Sequence, residues 1–278
     1  MIQNSYKKSN YGNLYLVPTP IGNLEDITFR AINTLKEADI VFAEDTRVTF
    51  NLLKHYDISK PIESCHKYTE MKNKDKIINI LKSGKNIAYV TDRGTPLISD
   101  PGNVIVDEVI KENINVIALP GASALLPAIN MSGISNQKFL FYGFLNSKQS
   151  LARKELIDIK EEPYTLIFYE APHRIEETLK IIHDVLGNRK IAIVREISKL
   201  HEEVNRDYVE NIINNYNEIK GEIVIVVDGY KEEEKDINYE ELIKELINKG
   251  YSKRDAIKEI ADKYNESKNK LYNMFKEG

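Results

Sequence analysis

The stretch Leu14-Tyr-Leu-Val-Pro-Thr-Pro-Ile-Gly-Asn-Leu24 joins a short apolar run to a loop of small and turn-forming residues. The apolar half predicts a buried strand over residues 14–17, because short continuous runs of this kind are typical of sheets covered on both faces. The second half is richer in proline and glycine than a simple connector needs. Ligands of open α/β sheets bind beyond the carboxyl ends of the strands. This stretch therefore predicts an α/β fold with a binding loop after its first strand.

The same alternation of apolar runs and segments of helical period continues to residue 227, and it is typical of α/β domains. The predicted elements are too many for one compact sheet, so we expect two α/β halves, residues 11–121 and 122–229. Strands are predicted at residues 14–17, 40–43, 87–90, 116–119, 139–144, 165–169, 191–194 and 223–227. Helices are predicted near residues 27–36, 48–56, 74–81, 104–112, 124–131, 150–159, 175–186 and 209–216.

Two further loops at predicted strand ends have the same character. Thr91-Asp-Arg-Gly-Thr-Pro96 continues into Leu97-Ile-Ser-Asp-Pro-Gly102, and Leu119-Pro-Gly-Ala-Ser-Ala124 follows the next strand. A single loop of this kind is usually an ordinary turn, whereas three together let a ligand lie close to main-chain groups. The three loops predict a shared binding site.

After residue 229 the composition changes. A charged linker is predicted at residues 230–236, followed by a helical tail at residues 237–276. Ser252 and Asp255 form a capping-box pattern that starts the second tail helix, and a break at residues 265–267 precedes the third. The last two helices are spaced like a helix-turn-helix unit.

Composition sets broad limits on the 278-residue chain. It carries 39 Lys and Arg against 43 Asp and Glu, a net charge of −4, with 42% hydrophobic residues, which is typical of a soluble globular protein. Cys65 is the single cysteine, so a disulfide within the chain or a multi-cysteine metal cluster is excluded, and we expect no metal. The sequence contains neither a signal-peptide pattern nor an apolar run long enough for a bilayer, so we expect a cytoplasmic protein with no membrane partner.

Familiar nucleotide and hydrolase motifs are absent from the sequence. No two glycines are separated by a single residue, which excludes the dinucleotide fingerprint G-x-G-x-x-G. A P-loop, a zinc-protease H-E-x-x-H motif and a G-x-S-x-G elbow are missing as well.

Taken together, the motifs resemble one known family. Besides the loops above, the chain contains Ala43-Glu-Asp-Thr-Arg47, Leu166-Ile-Phe-Tyr-Glu-Ala-Pro-His-Arg174, Arg195-Glu-Ile-Ser-Lys-Leu-His-Glu-Glu203 and Lys220-Gly-Glu222, in this order. The set is similar to the ribosomal RNA small subunit methyltransferase I family, a branch of the tetrapyrrole (corrin/porphyrin) methylase superfamily. The resemblance covers roughly residues 11–229, and the tail is similar to the helical C-terminal domain of that family.

This resemblance implies a two-domain, class III methyltransferase fold with S-adenosylmethionine in the cleft between the halves. It also implies methylation of the ribose 2′-hydroxyl of a cytidine in the decoding region of 16S rRNA, on the 30S ribosomal subunit, by a homodimer. Arg93 stands where the family usually has alanine, and Pro18 stands where alanine or glycine is also common. The cofactor-binding residues implied by the resemblance are Asp92, Gly94, Thr95, Pro96, Gly121, Ser123, Ala124, Tyr169, Glu170 and Ala171.

A ribose hydroxyl is a weak nucleophile, so a positioned proton acceptor is expected to help its methylation. Glu44 and Asp45, at the end of a predicted strand, are the leading catalytic candidates, although Asp45 is equally suited to cap the next helix. Glu170, His173 and Glu196 are further candidates for the same role. RNA-binding candidates are Arg47, Arg93, His173, Arg174, Lys199, Lys253 and Arg254, with His201 and Arg206 as further basic positions.

Charge within the tail is uneven, because residues 247–276 hold 8 basic and 4 acidic side chains. This basic end could contact rRNA phosphates, although a solvated helix surface explains it nearly as well. Two alternative functions stay open at this point: a tetrapyrrole C-methyltransferase of the same fold, and a non-catalytic module that binds nucleic acid through the tail.

Overall fold

The computed structural model describes residues 3–4, 10–66, 68–215, 220–232, 238–264 and 266–274. The chain forms two compact units, Met1–Tyr230 and Lys231–Gly278. The first unit contains two five-stranded sheets, and the second is helical.

The first sheet is entirely parallel, in the order β3-β2-β4-β1-β5. Its strands alternate with helices, so the carboxyl ends of all five strands lie along one edge. The strands are β1 (Leu14–Leu16), β2 (Ile40–Ala43), β3 (Ile62–Ser64), β4 (Ile87–Val90) and β5 (Val116–Ala118). The helices are α1 (Phe29–Glu37), α2 (Thr46–His55), α3 (Glu70–Lys82) and α4 (Asn103–Lys111), with a 3-10 turn at Leu24–Asp26.

Apolar side chains cover both faces of this sheet, as expected for continuous apolar strands. Leu14, Phe42 and Ile87 belong to a cluster on one face, while Val41 and Ala88 belong to a cluster on the other. The two clusters pack the strands on both faces, so a ligand site is expected in the loops at the carboxyl edge of the sheet.

The second sheet is mixed, in the order β6-β7-β10-β8-β9. Only β6 and β7 pair in parallel, and the other three pairings are antiparallel. Its strands are β6 (Phe139–Phe144), β7 (Thr165–Glu170), β8 (Lys190–Arg195), β9 (Glu203–Tyr208) and β10 (Ile223–Val227). Its helices are α5 (Leu125–Ser132), α6 (Gln149–Asp158), α7 (Ile175–Leu186) and α8 (Val209–Asn214).

All eight predicted strands are present, but the sequence did not predict β3 or β9. Both are edge strands, and five of the six residues of β9 are exposed. Their polar sequences, Ile-Glu-Ser and Glu-Val-Asn-Arg-Asp-Tyr, lack the apolar run that marks a strand covered on both faces. The eight helices predicted in this unit are present; α7 has its predicted ends, Ile175 and Leu186, and the others have at least one shifted end. The predicted end of α8 at Tyr216 lies outside the described residues.

The tail unit contains α9 (Tyr239–Asn248), α10 (Lys253–Tyr264) and α11 (Lys268–Met274). Ile243, Ile257 and Leu271, one from each helix, share a small apolar core. Ser252 of the predicted capping box caps α10, because the Asp255 amide donates to the Ser252 hydroxyl at 3.2 Å, and that hydroxyl donates to the Asp255 carboxylate at 2.5 Å. Residues 233–236 of the predicted linker, and residues 237, 265, 275 and 276 of the predicted tail, lie outside the described part of the chain.

Across the described residues, none of the helices combines the length and apolar character that a membrane span requires.

Candidate active site

A cavity of about 390 Å³ lies between the two sheets of the first unit, in the size range of small-molecule sites. The loop after β4 lines it from the side of the first sheet, and the end of β7 and the start of β10 line it from the second sheet. Its lining residues include Ile21, Arg93, Gly94, Thr95, Ile98, Ser99, Asp100, Ser123, Ala124, Phe144, Tyr169, Glu170, Ala171, Ile197 and Glu222.

Backbone contacts tie the loops of the first sheet together beside this cavity. Thr19 and Gly94 exchange two main-chain hydrogen bonds of 2.9 Å, and the Thr95 hydroxyl donates to the Ala122 carbonyl at 2.9 Å. Gly94 has φ of +79°, and a Cβ atom there would lie 3.3 Å from the Ile21 side chain. A Cβ atom at Gly121 would lie 2.6 Å from Pro18. Both glycines are therefore required for the close approach of these loops.

Seven of the predicted cofactor-binding residues come together around the cavity. The Tyr169 ring packs edge-on against Phe141 and Phe144, and burial raises the pKa of its hydroxyl, which hydrogen-bonds to Ser123. The seven are Gly94, Thr95, Ser123, Ala124, Tyr169, Glu170 and Ala171. The other three predicted residues, Asp92, Pro96 and Gly121, do not line this cavity. Asp92 instead borders a second cavity of about 530 Å³.

Glu44 and Asp45 lie outside the residues that line either cavity. The Asp45 carboxylate is the N-cap of α2, accepting from the Arg47 amide at 2.9 Å and pairing with the Arg47 guanidinium at 2.6 Å. These contacts hold the pKa of Asp45 at about 2. Glu44 accepts a hydrogen bond from the Thr91 hydroxyl at 3.2 Å. The capping alternative thus describes what the Asp45 side chain does in this structure.

Glu170 is buried and fully engaged at the end of β7. Its carboxylate accepts from the Thr178 hydroxyl at 2.6 Å and from the Ala171 amide at 2.7 Å. Arg174 lies 3.6 Å from it and donates to the Leu145 and Asn146 carbonyls. These contacts hold the wall of the cavity in place, so the Arg174 guanidinium is largely committed within the protein.

A charged network crosses the cleft at the cavity rim. Arg93, in the loop after β4 of the first sheet, pairs with Glu222, which directly precedes β10 of the second sheet. Lys199 donates to Glu222 at 3.0 Å and to Glu196 at 2.8 Å, and Glu196 also accepts from the Glu222 amide. Two predicted RNA-binding cations therefore share one carboxylate, which reduces the net positive charge at the rim.

The remaining RNA-binding candidates lie apart from this network. Arg47 is on the surface, with 87% of its side chain exposed, and His173 is exposed on the loop after β7. Lys253 and Arg254 begin α10 in the tail unit and are exposed.

Asp100 is a site residue that the sequence did not predict. It lines the cavity, and burial raises its pKa to about 6, with the nearby charges of Glu44 and Asp92 adding to the shift. Two preceding residues, Leu97 and Ser99, adopt φ of +73° and +67°, values that non-glycine residues seldom take. The run of Ser, Asp, Pro and Gly was the available signal, but it does not tell which side chain faces a ligand.

No group of three or more His, Cys, Asp or Glu side chains within the described ranges is arranged to hold a metal ion.

Known proteins with a similar sequence or a similar fold are methyltransferases or members of one methylase family. A profile of the family described as Tetrapyrrole (Corrin/Porphyrin) Methylases matches residues 13–213. Among solved structures, diphthine synthase has a TM-score of 0.62 at 16% identity, covering 78% of this chain and 90% of its own. The uroporphyrin III C-methyltransferase of Thermus thermophilus has a TM-score of 0.57 at 18% identity, covering 78% and 97%. These structures share the fold.

The chain therefore belongs to the tetrapyrrole (corrin/porphyrin) methylase family, and it is a methyltransferase. Relatives named ribosomal RNA small subunit methyltransferase I show which branch of the family this chain resembles. The Bacillus subtilis protein is 46% identical over 96% of this chain and 95% of its own length. That of Buchnera aphidicola subsp. Schizaphis graminum is 45% identical over 84% of each. Within the family, this chain groups with that branch.

Proposed function

We propose that this protein transfers a methyl group from S-adenosylmethionine to the ribose 2′-hydroxyl of a cytidine in 16S rRNA, acting on the 30S subunit. The observation that carries the proposal is the 46% identity, over nearly the full length of both chains, to a relative named for small-subunit rRNA methylation. The cavity between the halves supports it, because small-residue loops at the carboxyl edge of a parallel sheet suit a nucleoside ligand.

The residues around the cavity fit the cofactor. Gly94 leaves room for a ligand close to the backbone, where a side chain would already contact Ile21. Ser123 and Thr95 offer hydroxyl groups, while Tyr169 and Ile98 offer apolar surface for an adenosine. S-adenosylmethionine supplies an activated methyl group on a sulfonium centre. The task of the protein is to hold the acceptor hydroxyl in line with it, which contributes roughly 7–11 kcal/mol to such reactions.

The second cavity is our proposed entrance for the acceptor nucleotide. It shares Arg93 with the cofactor cavity and is also lined by Asp92, His55 and Lys199. Arg93 and Lys199 are tied to Glu222, so an RNA phosphate would compete with that carboxylate for them. Arg47, His173 and the tail residues Lys253 and Arg254 are proposed as outer contacts with rRNA.

We further propose a cytoplasmic homodimer, as the family resemblance implies. Selectivity for a folded site on the ribosomal subunit agrees with the net charge of −4, because an acidic chain has little non-specific affinity for nucleic acid.

Methyl transfer from tritiated S-adenosylmethionine tests the function. We expect label in 30S subunits that lack this modification, and in the ribose of a single cytidine after nuclease digestion. Uroporphyrinogen serves as the competing acceptor. Label in uroporphyrinogen but not in 30S subunits would contradict the proposal and favour a tetrapyrrole C-methyltransferase.

A further inference from the structure

The second cavity, of about 530 Å³, is lined by both apolar and polar side chains. Its apolar lining residues are Pro20, Leu24, Val48 and Leu52. Its polar lining residues include Asn51, His55, Asp92, Arg93 and Lys199. An unstacked base binds in a site of this composition, with its faces on apolar side chains and its edge on hydrogen-bonding groups.

The loop after β1 separates this cavity from the cofactor cavity. Ile21 lines the cofactor cavity, whereas its neighbours Pro20 and Gly22 line the second cavity, and Arg93 lines both. The two cavities therefore adjoin. A nucleotide can have its ribose beside the cofactor and its base in the second cavity, since a single glycosidic bond joins the two groups.

Asp92 is held in a fixed position at this second cavity. Its Oδ1 atom accepts a hydrogen bond from the Asp45 amide at 2.9 Å. The backbone on either side is also tied down, because the Thr19 hydroxyl donates to the Thr91 carbonyl at 3.1 Å and Thr19 exchanges two main-chain hydrogen bonds with Gly94. A contact that discriminates between ligands requires this kind of rigid support.

The second oxygen of Asp92, Oδ2, is available to a ligand. Within the described ranges, the Asp45 amide is the sole hydrogen-bond partner of this side chain, and no cation forms an ion pair with it. Glu222 differs, because its two oxygens are bound by Arg93 and Lys199. An ionised carboxylate accepts hydrogen bonds and donates none, so Asp92 favours a ligand that presents a donor.

The two pyrimidine bases differ in the group that a carboxylate would meet. Cytosine carries the N4 amino group, a donor, where uracil carries the O4 carbonyl, an acceptor. A carboxylate facing O4 would leave two acceptors unpaired, which costs free energy in a desolvated site. We propose that the second cavity binds the base of the acceptor nucleotide and that Asp92 accepts a hydrogen bond from cytosine N4. This specificity rests on the proposed function above.

The test is Asp92→Asn, which keeps the size of the side chain and an oxygen for the Asp45 amide but adds a donor. The substrates are 30S subunits reconstituted with 16S rRNA that carries cytidine or uridine at the position labelled by the wild-type protein. We expect the wild-type kcat/KM to favour cytidine by roughly 5–150-fold. Asp92→Asn should bring this ratio to within about 3-fold of one, mainly by a lower value for cytidine.

Two further measurements accompany this ratio. The affinity of Asp92→Asn for S-adenosylhomocysteine, measured by calorimetry, should stay within about 3-fold of the wild-type value, because Asp92 does not line the cofactor cavity. Filter binding of the two 30S substrates in the presence of S-adenosylhomocysteine gives the same discrimination as a ratio of affinities. A variant without turnover is therefore still tested.

Two control variants separate base recognition from other effects. Asp107→Asn makes the same change at an exposed position of α4 and should keep both the rates and the ratio. Lys199→Gln removes a cation from the same cavity. It should lower kcat/KM for both substrates alike and leave the ratio in place, because phosphate contacts carry no sequence information.

A wild-type ratio near one, or an unchanged ratio in Asp92→Asn, would overturn the proposal. Loss of S-adenosylhomocysteine binding in Asp92→Asn with the ratio unchanged would also overturn it, and would return Asp92 to the cofactor site that the family resemblance implies. If the wild-type protein binds S-adenosylhomocysteine but labels neither 30S substrate, the proposed function itself fails. The two failures are therefore distinct.

Discussion

Two aspartates at the same edge of the first sheet have opposite electrostatic environments. Asp45, after β2, caps a helix and pairs with Arg47, and its pKa is lowered to about 2. Asp100, after β4, borders the cavity beside other carboxylates, and its pKa is raised to about 6. The comparison teaches that position at a strand end does not make a carboxylate basic. What matters is whether a cation and an amide, or burial and like charges, surround it.

The largest expected effect is a loss of ligand affinity when a bulky side chain is placed beside Asp100, compared with the same side chain beside Asp45. Ser123→Trp puts an indole into the cavity that Asp100 borders, and it should weaken S-adenosylhomocysteine binding at least about 100-fold, close to 2.7 kcal/mol. Arg47→Trp puts the same ring beside Asp45, where the side chain is 87% exposed, and should leave that affinity within about 2-fold. Calorimetry measures both. Equal losses would mean that the cofactor does not use this cavity.

A smaller effect concerns the ionisation of Asp100. Glu44 raises the pKa of Asp100, so Glu44→Gln removes a like charge and should lower that pKa, as measured by carboxyl-carbon NMR titration. Asp45 is not among the groups that shift the Asp100 pKa, so Asp45→Asn should leave its midpoint in place. A higher Asp100 midpoint in Glu44→Gln would contradict this electrostatic arrangement.

The smallest effect concerns thermal stability, and the two positions should differ in sign. The raised pKa of Asp100 means that its contribution is favourable below about pH 4 and is lost as pH rises through about 6. Asp100→Asn should therefore raise Tm at pH 7.5 by about 2–4 °C, with the gain disappearing near pH 4.

Asp45 should behave in the opposite way. Its lowered pKa means that its contribution is present above pH 3.8 and is lost as pH falls through about 2. Asp45→Asn keeps a capping side chain but loses the ion pair with the exposed Arg47, so Tm at pH 7.5 should fall by only about 1–2 °C. Scanning calorimetry of both variants checks the pair, and a shift of the same sign in both would refute the contrast.

Much of the fold follows from the sequence because buried strands require continuous apolar runs. β10, Ile-Val-Ile-Val-Val, is buried along its whole length and was predicted with its observed ends. β9 was missed because it is an exposed edge strand, where pairing with β8 determines the structure and side-chain burial contributes little. The prediction failed where tertiary pairing outweighs the local pattern.

The site divides in the same way. The family resemblance implied Gly94 and Ser123 as cofactor-binding residues, and they line the cavity. Asp100 was missed because its raised pKa depends on Glu44 and Asp92. Glu44 is distant in sequence and Asp92 lies earlier in the same loop, so both come near Asp100 only in the folded chain. Arg174 stays a predicted RNA-binding residue, and its guanidinium also donates to carbonyl groups about thirty residues away, which no local pattern reveals.

The contrast between the two aspartates is tested most directly by a carboxyl-carbon NMR titration of the chain with ¹³C-labelled aspartate, with resonances assigned by Asp45→Asn and Asp100→Asn. We predict a midpoint of about 6 for Asp100, while Asp45 stays ionised down to about pH 3. Titration of both carboxylates near the ordinary value of 3.8 would contradict the account.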